Sequence, residues 1–219
     1  RLRGDMDSLL LAAFVTFFVA IDPVAMAPMF TTMTARMSPA WRRRMAFKSI
    51  AIATGILLAF AFGGAWLLDQ IHVSIDAFRI AGGLLLFLIA VDMLFEKRAE
   101  RRDERAEKVA AHQAEHPEAQ DDISVFPLAI PLIAGPGAIA SIMLFFAENP
   151  DLPERAMILL GAGANLGLCL IAFLAAGPLS RLMGPTVASM ITRIFGILLA
   201  ALAAQFVVDG ITNAFGLGR

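Results

Sequence analysis

Apolar residues fall along this chain in long blocks, with no alternation of the β type. Six blocks stand out, at about Ser8–Thr34, Met45–Leu68, Phe78–Phe95, Ile123–Ala147, Ala156–Leu179 and Thr186–Val208. A helix needs about 20 predominantly apolar residues to cross a hydrocarbon core. The pattern therefore predicts an all-α integral membrane protein with six transmembrane helices. The polar stretch Glu96–Asp122 separates the first three blocks from the last three. It divides the chain into 1–96, a charged linker 97–122, and 123–219. The start of that stretch can extend the third helix. Its mixed charge and Pro117 predict a solvated linker beyond.

The two flanking parts resemble each other. Pro23 and Pro28 in the first block recur, at the same spacing, as Pro131 and Pro136 in the fourth. Arg79-Ile-Ala-Gly82-Gly-Leu84-Leu85 is matched by Arg193-Ile-Phe-Gly196-Ile-Leu198-Leu199 in the sixth. Two matches in the same order point to an internal repeat. Three spans per repeat is an odd number, so the second copy enters the membrane from the opposite side. The expectation is two inverted three-helix repeats, with the first and fourth helices broken near the midplane by their prolines.

Composition agrees with this pattern. Of 219 residues, 58% are hydrophobic and 17% charged, against about 45–50% and 25% in soluble domains. Basic residues flank apolar spans and form no surface stripe, so no nucleic-acid partner is expected. With the N-terminus outside, thirteen of the eighteen basic residues fall in inner loops. They are Arg36, Arg42, Arg43, Arg44 and Lys48, then Lys97, Arg98, Arg101, Arg102, Arg105 and Lys108, then Arg181 and Arg193. Arg1, Arg3, Arg79, Arg155 and Arg219 stay outside. Both termini are therefore expected to be extracytoplasmic and the linker cytoplasmic. Trp41 and Trp66 bracket the second span as interfacial anchors, about 37 Å apart along a helix. Arg1, Arg3 and the run Leu9–Ile21, followed by Ala25-Met26-Ala27, have the outline of a signal peptide. Asp5, Asp7 and the repeat argue for a retained span instead. Cys169 is the single cysteine. Its apolar neighbours predict a packed or lipid-facing thiol, and no disulfide or cysteine-based zinc site can form.

Candidate chemistry sits at the proline breaks. An intramembrane carboxylate is costly and usually faces a pathway, so Asp22 is a candidate ion site. Beside Pro23 it also reads as a helix cap. Gly135, Pro136 and Gly137 offer backbone N–H groups at a half-helix start, suited to an anion such as a carboxylate. The same glycines also suit close helix packing. The substrate or ion site is expected to include Asp22, Pro23, Pro28, Pro131, Gly135, Pro136, Gly137, Asn165 and Gln205. Arg79 and Arg193 read as snorkelling cations, and Gly161, Gly163 and Gly167 as a helix-contact face. Asp92, Gln205 and Asp209 lie toward span ends. His112-Gln-Ala-Glu115-His116 matches an inverted zinc-protease pattern, but it lies in the charged linker with only His72 besides. No nucleophile–base pair, Walker loop or dinucleotide fingerprint occurs, so neither an enzyme nor a bound cofactor or metal is expected.

These residues resemble the MarC family of bacterial inner-membrane proteins, also described as similar to small neutral amino acid transporters. The resemblance rests on Asp22-Pro23 with Pro28 and Phe30, Phe78 through Leu84, Pro127 through Pro131, Ala134 through Gly137, and Arg193 through Ala200 to Gln205. It implies an inner-membrane carrier of alanine-like or glycine-like amino acids, with the bilayer as its surroundings and an oligomer compatible with it. The residues themselves predict a secondary transporter, coupled to a proton or sodium gradient. A channel and a non-transporting accessory or scaffold protein are the alternatives. In the expected mechanism a zwitterion binds between Asp22 and Gly135–Gly137. Asp22→Asn then leaves the protein folded but uncoupled, and Gly137→Val crowds the substrate out.

Overall fold

The computed structural model describes residues 2–95, 97–115, 122–177 and 185–216. Arg1, Arg181 and Arg219 of the charge count lie outside these, as do His116 and Pro117. Every regular element among the described residues is helical. Helices α1 (Leu2–Ile21) and α2 (Pro23–Met33) follow one another as a single apolar run, Met6–Met33. The second and third spans are α3 (Pro39–Gln70) and α4 (Ile75–Leu94). The connector is a helix of its own, α5 (Lys97–Glu115). A wide-helical segment, Ser124–Ile133, then meets α6 (Pro136–Glu148) at 57°. The chain ends with α7 (Leu152–Leu174) and α8 (Pro185–Ala214). Among the described residues five helical stretches are long and apolar enough to cross a membrane, and six if the bent pair is one span.

The boundaries have local causes. Ser38 caps α3 through the Trp41 N–H, with Pro39 in the first helical position. This start carries α3 below the expected Met45, so Arg42–Arg44 and Lys48 ride on the helix. Ser74 caps α4 in the same way, through the Ala77 N–H. Pro127 and Pro131 have no N–H to give, and a residue before proline is pushed toward extended backbone. Phe126 and Ile130 accordingly sit at φ/ψ of −127/128° and −125/126°. The remaining bonds span five residues, as from the Ala134 N–H to the Ala129 carbonyl at 2.9 Å. A regular helix resumes only at Pro136.

In the packing, α1 lies on α7, α3 lies on the wide segment and α6, and α4 lies along α8 over their length. This set of pairs is unchanged when the first three spans exchange places with the last three. Small residues permit the close approaches. A Cβ on Gly161 would stand 3.0 Å from the Phe14 backbone nitrogen of α1, whereas Gly163 and Gly167 face open space. Only the first of the three glycines therefore belongs to a contact face. A Cβ on Gly83 would lie 2.8 Å from the Ala203 carbonyl oxygen across the α4–α8 seam. Phe30 of α2 stacks on Phe173 of α7 at 4.5 Å between ring centroids.

Large apolar side chains cover the outside, among them Phe62, Leu88, Ile171 and Ile197, as a lipid-facing surface requires. Trp66 is exposed there, but Trp41 is 8% exposed and packs in the core, so only one tryptophan is placed to anchor an interface. Cys169 is fully buried. Arg79 does not snorkel free: it donates to Glu148 at 2.6 Å, with Asp76 3.8 Å away. At the other end Lys48 of α3 pairs with Asp122. The Lys48 ammonium, and then the Ser124 hydroxyl, hold the Asp122 carboxyl down at about 2. A depressed folded pKa stabilises above the ordinary carboxylate range and loses that contribution as pH falls toward 2. This surface tie thus persists at every physiological pH.

The α4–α8 seam gives a direct test. Gly83→Val should lower the thermal midpoint of the detergent-purified protein by several degrees, since overpacking costs about 1–3 kcal/mol. Gly63→Ala, where an added Cβ meets nothing within 4 Å, should leave the midpoint unchanged. Equal midpoints for the two variants would show that the seam is not close-packed.

Candidate functional site

The site begins where α1 stops. The Asp22 N–H still closes the last turn on the Phe18 carbonyl at 2.8 Å. Asp22 then turns left-handed, with φ 58° and ψ 65°, a region that Asp tolerates better than most residues. Its side chain caps α2 through the Ala25 N–H at 3.3 Å, and Pro23 takes the first helical position. One residue therefore ends one helix and starts the next. The turn leaves the Ile21 carbonyl without its usual helical partner, beside a carboxylate that is 4% exposed.

Both needs are met by a single side chain from the connector. Arg102 of α5 donates to the Asp22 carboxylate at 2.9 Å and to the Ile21 carbonyl at 3.3 Å. Both members of the ion pair are buried. The guanidinium also sits at the negative end of the α1 dipole. The first half of the expected linker is therefore not merely solvated. Arg102 and Ala106 are buried, and Val109 packs against the core. Their spacing of four and three marks one face of a helix. His112 is exposed on α5, and no described residues gather as a metal-binding group.

Next to this pair lies a cavity of about 310 Å³. Its walls come from Ala20 of α1, from Leu85, Ile89 and Asp92 of α4, and from Arg101, Arg102 and Arg105 of α5. The remaining side is Pro131, Leu132 and Gly135–Gly137. Gly135 caps α6 in an extended conformation, so the positive end of that helix faces the cavity. Arg101 pairs with Asp92. Arg105 has no ion pair or hydrogen bond among the described residues. With Arg102 paired to Asp22 and Arg101 to Asp92, Arg105 and the helix N-terminus leave the chamber positive, suited to an anionic group of a small solute.

The chamber gathers Pro131, Gly135, Pro136 and Gly137 of the expected site, with Asp22 and Pro23 behind Arg102. It does not gather the others. Pro28 is exposed on α2. Asn165 is fully buried on α7 and donates to the Phe14 and Gly161 carbonyls at 2.9 and 2.8 Å, which ties α7 to α1; its Oδ1 has no partner. Gln205 is exposed on α8, donating to Asp209 at 2.7 Å. A Cβ on Gly137 would press on Ile89 and Leu86 at 2.9 and 3.3 Å, so this glycine also seats α6 against α4.

A family model described as "MarC family integral membrane protein" matches residues 8–215. The chain belongs to the MarC family. A UPF0056 membrane protein of Methanocaldococcus jannaschii is 36% identical over 202 residues, covering 92% of this chain and 95% of its own. One of Archaeoglobus fulgidus is 35% identical over 207 residues, with 94% and 93% covered. The YvbG protein of Bacillus subtilis, also named a UPF0056 membrane protein, is 32% identical over 212 residues, with 96% and 97% covered. No solved structure matches. This MarC chain is thus an integral multi-pass membrane protein, similar along almost its whole length to relatives from bacteria and archaea.

The buried pair changes what Asp22→Asn should do in this MarC protein. Neutralising either partner strands the other charge in a site with little access to water, which costs about 3–5 kcal/mol. Asp22→Asn and Arg102→Gln should each lower the thermal midpoint clearly, and the double variant should recover part of that loss. Strictly additive losses in the double-mutant cycle would show that the two side chains do not interact.

Proposed function

We propose that this chain is a secondary transporter of small neutral amino acids in the bacterial inner membrane, coupled to a cation gradient. The observation that carries this reading is the positive chamber at the start of α6, with the Asp92 carboxylate also in its wall. A zwitterion has the matching ends. Its carboxylate meets the α6 N-terminus and Arg105, and its ammonium meets Asp92. At about 310 Å³ the chamber lies at the small end of ligand pockets, near 300–1,000 Å³. A short side chain suits that space.

The architecture belongs to the same proposal. The spans form two inverted three-helix repeats, with the first and fourth broken near the midplane at Asp22 and at Ala134–Gly135. The exchange symmetry of the helix pairs supports the repeat, and the 57° bend and the left-handed Asp22 support the breaks. Half-helix ends at such breaks are where secondary transporters bind substrates and ions. Both termini are extracytoplasmic, and α5 covers the chamber from the cytoplasm. Supporting this orientation, Lys48 beside the basic run Arg42–Arg44 pairs with Asp122 at the end of the connector. A reporter fused after Ala214 should read extracytoplasmic and one inserted between α5 and Asp122 cytoplasmic; the reverse pattern contradicts the orientation.

Transport is tested with purified protein in liposomes. Labelled alanine or glycine should show saturable uptake and counterflow, and a cation gradient should drive accumulation. Arg105→Gln should raise KM about tenfold or more, the loss of one charge-assisted hydrogen bond of roughly 1.5–3 kcal/mol, with the protein still folded. Flux without saturation or counterflow would identify a channel. No flux for any small neutral amino acid would reject the carrier reading.

A further inference from the structure

Arg102 does more than neutralise Asp22, because the atoms it holds resemble a ligand set. Its guanidinium is bound by two oxygens, the Asp22 Oδ2 at 2.9 Å and the Ile21 carbonyl at 3.3 Å. Asp22 is 4% exposed, and Arg102 is nearly as buried where it borders the chamber. A carboxylate and a freed main-chain carbonyl at the end of a half-helix are hard oxygen donors at the negative end of a dipole. The group they hold comes from outside the bundle core. The connector helix is charged over most of its surface and is anchored by few buried side chains, chiefly Arg102 and Ala106. The same helix supplies Arg101, Arg102 and Arg105 to the chamber wall.

We propose that the Asp22 carboxylate and the Ile21 carbonyl form a binding site for an alkali cation, and that Arg102 is a tethered cation that occupies this site when the cation is absent. The two cations exclude each other. When sodium binds, with water from the adjoining chamber completing its shell, Arg102 leaves and takes α5 away from the chamber. When sodium departs, Arg102 returns and the chamber closes. Exchange conserves the charge of the buried site, so the carboxylate is never left bare. Binding of the ion and opening toward α5 are then one equilibrium, and each must shift the other by the same factor. The proposal deepens the transport reading and rests on it only for the use made of the ion. The exchange itself is a binding event that requires no flux.

The test is thermal unfolding of the detergent-purified protein in sodium, lithium, potassium or choline chloride at equal ionic strength, beside reconstituted transport. Arg102→Gln empties the site of its tethered cation. Its midpoint should rise by several degrees in sodium over choline, because an ion that binds only the folded state stabilises it. The wild-type protein should respond less, since the ion must first displace Arg102. Asp22→Asn, and the double variant, should not distinguish sodium from choline. An Arg102→Gln midpoint indifferent to the alkali cation overturns the proposal, as does an equal response in Asp22→Asn. The wild type offers a readout that needs no variant to fold. Cys169, the only cysteine, is fully buried on α7, which packs on the α1 and α2 helices that Asp22 joins. Its modification by a small methanethiosulfonate should be several-fold faster in sodium than in choline, and equal rates contradict the exchange. A sodium response without amino acid flux would leave the site standing and reject only the transport reading.

Discussion

A carboxylate buried at a helix interruption cannot remain alone in a membrane protein, and in this chain that constraint organises the rest. Asp22 ends α1, caps α2 and brings a negative charge into a site with little access to water. The compensating charge does not come from a neighbouring span. It comes from Arg102, eighty residues along the chain in the connector between the two sets of spans. That choice of partner draws α5 back onto the bundle. It also closes one side of a chamber whose other walls are α4 and the start of α6. A buried pair of this kind is weak as a source of net stability, because desolvation offsets much of the attraction. Its value lies in specifying where α5 sits and in making that position sensitive to anything that competes for Asp22.

The chamber follows from a second local constraint. Pro131 follows Pro127 at the fourth position, and Pro136 follows Pro131 at the fifth. No regular helix can pass through that series, since three main-chain donors are missing. The chain therefore enters as a wide, partly extended segment and leaves as α6, with Gly135 at the join. The N–H groups that follow Pro136 find no helical acceptors, and Gly135, Pro136 and Gly137 line the chamber. The turn at Asp22 presents oxygens, and the start of α6 presents N–H groups. The two sites thus have opposite polarity and share the same connector helix.

Much of this was legible in the sequence. The apolar helices follow from block hydrophobicity, and the left-handed turn at Asp22 and the 57° bend before α6 fall at Asp22-Pro23 and Gly135-Pro136-Gly137, because proline and a buried carboxylate carry their constraints locally. The role of α5 was not legible from its charge, which reads as a solvated face. A finer signal was present: Arg102, Ala106 and Val109 recur at helical spacing within an otherwise polar stretch. Periodicity alone could not say which distant group Arg102 meets. For Asn165 and Gln205 the sequence leaves a helix tie or an interfacial position open beside a pathway role. Polar residues in apolar spans suggest a pathway, yet one ties α7 to α1 and the other faces outward. Trp41 was assigned to an interface from spacing, whereas the early start of α3 at Pro39 carries it into the core.

The central claim is that the connector is seated on the membrane bundle through Arg102 and Asp22. Hydrogen–deuterium exchange of the protein in lipid nanodiscs reads this directly, through the amides of residues 97–115. The account predicts protected amides across the first half of α5 in the wild type. It predicts that Asp22→Asn releases that protection while α4 and α8 remain protected. Rapid exchange throughout 97–115 in the wild type, or unchanged protection in Asp22→Asn, would contradict it.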